Sequence, residues 1–280
     1  MNESPGFVIG RVSEIRRYPV KSMLGEELDS AEVTERGLLG DRAYALVDSE
    51  TGKIASAKNP RRWPNLFDFR AGFVEPFAEA VPLPSARITF PDGESVTTDQ
   101  PDVEARLSEA VGRPVRLARS GIDGATAEGY WPNHDWLANP DEVFQFPLPA
   151  GTFFDEAMIH LLTTATLHRL QALAPESRFD VRRFRPNFVI DPTDPTDPTD
   201  ATDAFVENDW IGRTITIGET HLRINGPCPR CVMTTLSQGD LPKDPRVLRT
   251  IVQGNAGNAG VYASVVRGGV VRRGDAVIFA

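Results

Sequence analysis

Gly226-Pro227-Cys228-Pro229-Arg230-Cys231-Val232-Met233-Thr234-Thr235 holds the only two cysteines of a 280-residue chain. Two thiols cannot build a disulfide framework, and the polar start Met1-Asn2-Glu3-Ser4-Pro5-Gly6 does not read as an export signal. A reducing, cytoplasmic setting is expected, with metal ligation or thiol chemistry at the cysteines; simple packing of small buried hydrophobes is the plain alternative. A structural zinc site needs four ligands, and His134, His160, His168 and His221 complete one at no finger-like spacing. A redox dithiol calls for a helix N-terminus after a strand, whereas the β-branched Val232, Thr234 and Thr235 read as strand. That favours a single thiolate as ligand to a soft-accepting transition metal, with Arg230 promoting the ionised sulfur.

Just upstream, Ile215 to Ile217, a Gly218-Glu219 turn and His221 to Ile224 form a hairpin, so Cys231 falls just past a strand end. Downstream, Asp244 as N-cap and Pro245 at the first helical position open a helix through Val252. Val261 to Val266, Gly268-Gly269 and Ala276 to Ala280 are expected to close the chain as a hairpin. Gly254, Gly257 and Gly260 are no phosphate loop, since they follow a helix and precede a strand, the reverse of the order that aims helix N–H groups at a ligand. Farther back, Met158 to Leu162 reads as strand, Thr163 or Thr164 as N-cap, Ala165 to Leu173 as helix and Phe188 to Ile190 as strand. Residues Asp191 to Ala204 repeat Asp-Pro-Thr and read as an extended surface insertion. Asp194, Asp197 and Asp200 are spaced carboxylates, but the glycine and terminal glutamate of a calcium loop are missing.

The first half is β-rich: Phe7 to Ile15, Leu28 to Thr34, Arg42 to Asp48, Phe67 to Phe73 and Ala86 to Phe90 are β-compatible, separated by turns such as Pro91-Asp92-Gly93. Asp99 to Gly112 reads as a helix burying Val103 and Leu107, and Val115 to Ala118 as a returning strand. Residues Arg119 to Gly151 read as a long ordered connection carrying Tyr130, Trp131, Trp136, Phe144 and Phe146. The expected organisation is a domain over 5–120, a connection over 121–150 and a second domain over 151–280. The fold class is α+β and predominantly β, a barrel or sandwich with a few helices.

A formal net charge of −9 and no apolar run of helix-spanning length argue against a nucleic-acid binder and a transmembrane protein. Against that acidic background, Arg182, Arg183 and Arg185 cluster, as do Lys58, Arg61 and Arg62. Such clusters are candidate phosphate sites, with solvated charge runs as the bland reading.

Tyr18-Pro19-Val20-Lys21-Ser22 followed by Gly37-Leu38-Leu39-Gly40-Asp41-Arg42 resembles the N-terminal β-barrel domain that accompanies MOSC (molybdenum cofactor sulfurase C-terminal) domains. Phe184-Arg185-Pro186-Asn187-Phe188-Val189-Ile190, Trp210, Ile217-Gly218, the cysteine run and Gly274-Asp275 are similar, in that order, to the MOSC domain itself. The functional relatives so implied are the amidoxime-reducing component proteins and their bacterial counterparts. The resemblance implies an N-terminal β-barrel domain and a barrel-like MOSC domain that together hold a molybdenum-pterin cofactor (Mo-molybdopterin). It implies an oxidoreductase that reduces small N-hydroxylated substrates, with electrons from a separate donor: a ferredoxin, a flavodoxin or a haem protein with its reductase. Carried over by motif, Cys231 is the metal ligand, Lys21 and Arg42 hold the cofactor from one side, and Arg185 and Asn187 from the other. Arg230 stands beside the sulfur, and Asp155 matches an acidic position near the cofactor. Glu156 and Ala157 depart from the small hydroxyl or thiol residues expected after Asp155. A non-catalytic carrier of the cofactor, or of sulfur as a persulfide on Cys231, is the alternative.

Overall fold

The structure, a computed structural model, describes residues 7–78, 83–120, 122–131, 141–192 and 204–280. The first half contains β1 (Val8–Arg17), β2 (Glu26–Leu28), β3 (Ser30–Thr34), β4 (Gly37–Leu38), β5 (Tyr44–Asp48), β6 (Arg70–Phe73), β7 (Ala86–Thr89), β8 (Ser95–Thr97), α1 (Val103–Val111) and β9 (Val115–Arg119). Then come β10 (Thr126–Tyr130), β11 (Val143–Pro147), β12 (Ile159–Thr163), α2 (Thr164–Leu173), β13 (Phe188–Pro192), β14 (Thr214–Ile217) and β15 (Thr220–Pro229). The chain ends with α3 (Pro245–Asn255), β16 (Asn258–Arg267), β17 (Gly269–Arg272) and β18 (Ala276–Phe279).

Seven strands close into a barrel in the order β13-β12-β16-β15-β14-β18-β1, with β1 pairing back onto β13 and β2 attached beyond β1. Alternation decides what faces inward: Val12 and Ile15 of β1, Ile159 and Leu161 of β12, Phe188 and Ile190 of β13, and Ile215 and Ile217 of β14 are all buried in one core. Each such side chain taken from water is worth about 1.5–3 kcal/mol, so closure of the ring by β1 is strongly favoured. The first strand of the sequence thus completes a barrel whose other six strands come from the second half. β17 pairs with β3 in the same fashion.

The two helices of the second half lie over a separate core formed by Leu162, Leu170, Val189, Val247 and Ile251. Thr163 caps α2 by accepting from the Thr166 amide at 3.1 Å, and Asp244 caps α3 by accepting from the Arg246 amide at 3.0 Å. The first half folds as small sheets, β5–β9 and β6–β7–β8, around Val20, Met23, Trp63, Phe69, Ile88 and Leu107. Met233 belongs to this same core, and Cys231 packs against it, so the loop after β15 is seated in the first half. No helix among the described residues is long and apolar enough to cross a membrane.

Several expectations need correction. Val232–Thr235 is a 3₁₀ turn, not a strand; Cys231 precedes it, and the Thr234 amide and hydroxyl both bond back to the Cys231 carbonyl, at 3.1 and 2.9 Å. Local bonding to hydroxyls has overridden β-branched propensity there. β16 and β18 do not form the closing hairpin, since β16 lies between β12 and β15 while β18 lies between β14 and β1. Leu28 to Thr34 divides into β2 and β3, Arg42 to Asp48 narrows to β5, and Phe67 to Phe73 begins as a 3₁₀ turn over Leu66–Asp68 before β6. The stretch from Arg119 to Gly151 includes the hairpin strands β10 and β11, paired from Thr126 with Pro147 to Tyr130 with Val143. Gly129 permits this pairing at close quarters: an added Cβ would stand 2.4 Å from the Phe144 ring. Most of the Asp-Pro-Thr repeat and the calcium candidates Asp194, Asp197 and Asp200 lie outside the described residues.

Candidate functional site

Six chain turns converge on one cleft of about 740 Å³, part of it open to solvent. Lys21 and Ser22 enter it from the turn after β1, Arg42 from the turn before β5, and Lys58 from the segment after Ile54. Asp155 lies before β12, Arg185 and Asn187 before β13, and Arg230 and Cys231 just after β15. All seven residues singled out in the sequence line this one cleft: Lys21, Arg42, Asp155, Arg185, Asn187, Arg230 and Cys231.

Backbone strain is concentrated here. Ser22, Arg42 and Arg185 have φ of +64°, +48° and +57°, three of six non-glycine residues in the left-handed region among those described. Such conformations cost about 1–3 kcal/mol each and persist only where the surroundings fix them. The surroundings do: the Arg42 amide donates to the Tyr18 carbonyl at 2.8 Å, the Lys21 amide to the Tyr44 carbonyl at 2.9 Å, and Ser22 Oγ accepts from the Ala57 amide at 3.0 Å. The Tyr18 ring lies near both guanidinium groups, 4.5 Å from that of Arg42 and 4.2 Å from that of Arg185. Cation–π attraction therefore lets two like charges stand near one another.

The charges form a chain. Lys21 Nζ donates to the Phe153 carbonyl at 2.7 Å and to Asp155, whose other oxygen is 3.0 Å from Lys58 Nζ. Burial works to raise the Asp155 carboxyl, but the two ammonium groups outweigh it and hold the group well below the usual carboxylate range. Burial pushes Lys21 down to about 8, against the opposing pull of Asp155. Burial and then the charge of Arg42 push Arg185 down to about 10. Arg185 also donates to the Met23 carbonyl at 2.6 Å.

Asn187 works behind the cleft wall. Its Nδ2 donates to Asp41 Oδ2 at 2.8 Å and its Oδ1 accepts from the His160 amide at 3.1 Å, tying β12 to the turn that carries Arg42. Arg230 lines the cleft together with Cys231, but no hydrogen bond joins it to that sulfur. It donates instead to the buried Cys228 Sγ, and to the Phe184 carbonyl at 2.7 Å, leaving its own Nε buried and without a partner. Lys58 lines the same cleft as Cys231. Cys231 itself is half-buried.

The basic clusters divide in the structure. Arg182 pairs with Asp180 and Asp240, and Arg183 is fully buried, donating to the carbonyls of Arg178, Thr234, Leu236 and Pro242. Arg61 pairs with Asp141 and Arg62 with Asp48. Only Lys58 and Arg185 of the six face the cleft. His160, weighed in the sequence only as a zinc ligand, and Tyr262, not singled out there, line it too. Burial, reinforced by the Arg230 charge, lowers His160 to about 3, so it is neutral, with Nε2 3.3 Å from the Ala259 carbonyl. Tyr262 is held well above its ordinary value by burial and by Cys228. Nothing in the local sequence marks these two, because β16 and β12 become neighbours only through barrel pairing.

With this geometry in place, comparison with known proteins is informative. The MOSC N-terminal beta barrel domain family matches residues 9–125, and the MOSC domain family matches residues 149–278. The chain is a MOSC-domain protein. It is similar to mitochondrial amidoxime reducing component 2 of Rattus norvegicus, at 26% identity over 249 residues, covering 81% of this chain and 67% of that protein. It is similar to mitochondrial amidoxime-reducing component 1 of Xenopus laevis, at 24% identity over 300 aligned positions, covering 96% and 82%. Similarity to the molybdenum cofactor sulfurase of Drosophila erecta is 24% over 246 residues, covering 84% of this chain and 29% of the sulfurase. The chain therefore spans less than a third of that relative.

In this MOSC protein the cleft carries five cationic side chains, of Lys21, Arg42, Lys58, Arg185 and Arg230, against the carboxylates of Asp155 and Glu156, while the whole chain is at −9. A local excess of positive charge around a half-exposed thiol suits an anionic ligand bearing a thiophilic metal. Among the described residues no three His, Cys, Asp or Glu side chains stand together to hold a metal ion. The donor set thus fits a metal that brings most of its ligands with it and takes one sulfur from the protein.

Proposed function

We propose that the MOSC protein binds a molybdenum-pterin cofactor in this cleft and reduces small N-hydroxylated compounds, drawing electrons from a separate donor. The observation that carries the reading is the convergence of the Cys231 thiol with five cations inside an acidic chain. Cys231 is the metal ligand; Lys21, Arg42 and Arg185 grip the cofactor's anionic end, and the orphaned Nε of Arg230 supplies a further donor. When bound, the cofactor supplies two-electron chemistry for removing oxygen from nitrogen. The protein fixes orientation. Asp155 spaces the ammonium groups of Lys21 and Lys58, and Asn187 locks the Arg42 turn against β12. Reduction of an N–O bond to amine and water consumes two protons, and Lys21 and Lys58 hold exchangeable protons in the cleft. His160 stays neutral and serves as packing beneath the site.

The test is purification from a host that makes the cofactor, with molybdenum and released pterin counted per chain and turnover of a small amidoxime measured with a reduced viologen as donor. Near one molybdenum and one pterin per chain, with turnover, is the expected result. Folded protein without either would sink the reading. The similarity to molybdenum cofactor sulfurases favours a carrier as second reading, and cofactor bound at full occupancy without turnover would select it.

A further inference from the structure

A second pocket of about 860 Å³, part of it open to solvent, lies on the other side of Arg42 and Phe154. Those two residues form its common wall with the cysteine cleft, and no other described residue lines both. Arg36, Arg42 and Arg119 bring positive charge to it. The one carboxylate among its described lining residues, Asp41, is already engaged: one oxygen accepts from the Tyr18 amide at 2.8 Å, and the other from Asn187 at 2.8 Å and from Arg42. Arg36 and Arg119 make no side-chain hydrogen bond or ion pair with any described residue. Leu83 lines the same space with apolar surface, beside the largely buried Leu38 and Phe154.

We infer that this pocket binds a phosphorylated small molecule of nucleotide size. Guanidinium forks match phosphate oxygens, and the apolar wall accepts a flat base. The pocket shares only Arg42 and Phe154 with the cleft, and Cys231 is not among its lining residues. It fits either a free nucleoside monophosphate or a nucleotide joined to the phosphate of a group held in the cleft; only the latter source rests on the proposed cofactor.

Two measurements separate these sources. Equilibrium dialysis of the full chain, purified without cofactor, against AMP, CMP and GMP, with orthophosphate for comparison, reads the free nucleotide. Chromatography of what acid releases from protein made in a cofactor-producing host reads the joined one. The expected result is saturable binding of at least one monophosphate, or release of a nucleotide near one per chain. Either signal is to fall about tenfold or more in the Arg36→Ala/Arg119→Ala double variant. Neither arginine side chain has a partner among the described residues, so the variant is to keep the parent's thermal midpoint. Absence of saturable binding together with absence of released nucleotide overturns the inference. So does a signal that the double variant leaves unchanged. The dialysis arm requires no molybdenum, so its outcome is independent of the proposed reductase activity.

Discussion

Lys21 is the residue on which charge, burial and binding meet. Its ammonium is buried and its pKa is pushed down to about 8 from 10.5 by burial, with Asp155 pulling the other way. The unfolded chain therefore binds more protons than the folded one between about 8 and 10.5, and this group makes the fold gain stability as pH rises through that window. Anion binding responds in the opposite sense, because the cleft loses a positive charge above pH about 8. Retention of molybdenum and pterin after dialysis is expected to fall between pH about 7 and about 9, and Lys21→Arg, whose charge persists, is expected to flatten that fall. Equal retention at both values in the parent protein would remove Lys21 from the anion grip. The two cysteines divide just as sharply. Cys231→Ala is expected to abolish molybdenum retention and turnover. Cys228→Ala, at a buried position beside Arg230, is expected to keep substantial turnover and lose about 1 kcal/mol in a denaturant titration. Equal tolerance of both substitutions would contradict the ligand assignment. The sequence made Cys231, Lys21 and Arg185 legible because chemistry-bearing residue types are rare or clustered there. It could not separate Arg183, which ties four carbonyls together in the interior, from Arg185 two positions on, because that choice depends on which carbonyls the fold brings near.

At the scale of elements, Gly260 shows how a strand is fitted to the site. It has φ of +82°, and an added Cβ would stand 2.3 Å from His160 Nε2 and 2.4 Å from the Leu161 carbonyl. Gly260→Ala is expected to destabilise the protein by about 2–4 kcal/mol, combining backbone strain with overpacking, and denaturant midpoints check this. A loss below a few tenths of a kcal/mol would mean that β12 and β16 are not held in this register. The helices were legible from caps and periodicity, as Asp244 and Thr163 illustrate. The turn over Val232–Thr235 was not, because four residues carry too little periodicity to outweigh β-branched composition, and the bonds from Thr234 to Cys231 decide it.

At the scale of the molecule, the barrel is closed by its most distant strand. β1 pairs with β13 from Ile15 opposite Phe188 to Gly10 opposite Pro192, and with β18 on its other side. A fragment of residues 149–280 carries the six other barrel strands but lacks Val12 and Ile15 from the core, and leaves edges of β13 and β18 unpaired. It is expected to show no cooperative thermal transition, followed by circular dichroism, whereas the full chain melts cooperatively. A cooperative transition in the fragment would show that β1 is dispensable. The same crossing of halves positions the cleft, since Met233 is seated in the core of the first half while β15, which leads to it, belongs to the barrel.

The sequence by itself determined the β-rich class, the caps of the helices, the family motifs and the residue types of the cleft, because each is written in a few neighbouring residues: alternation, turn chemistry, a pair of cysteines. Only the tertiary structure decided which strands pair, which arginines face the cleft and which are consumed as internal ties, and that His160 and Tyr262 line the cleft with Cys231. Those outcomes depend on contacts between segments distant in sequence, from 51 residues for Arg183 with Thr234 to 134 for Lys21 with Asp155. The burial and hydrogen bonding that settle them exist only once the barrel has closed.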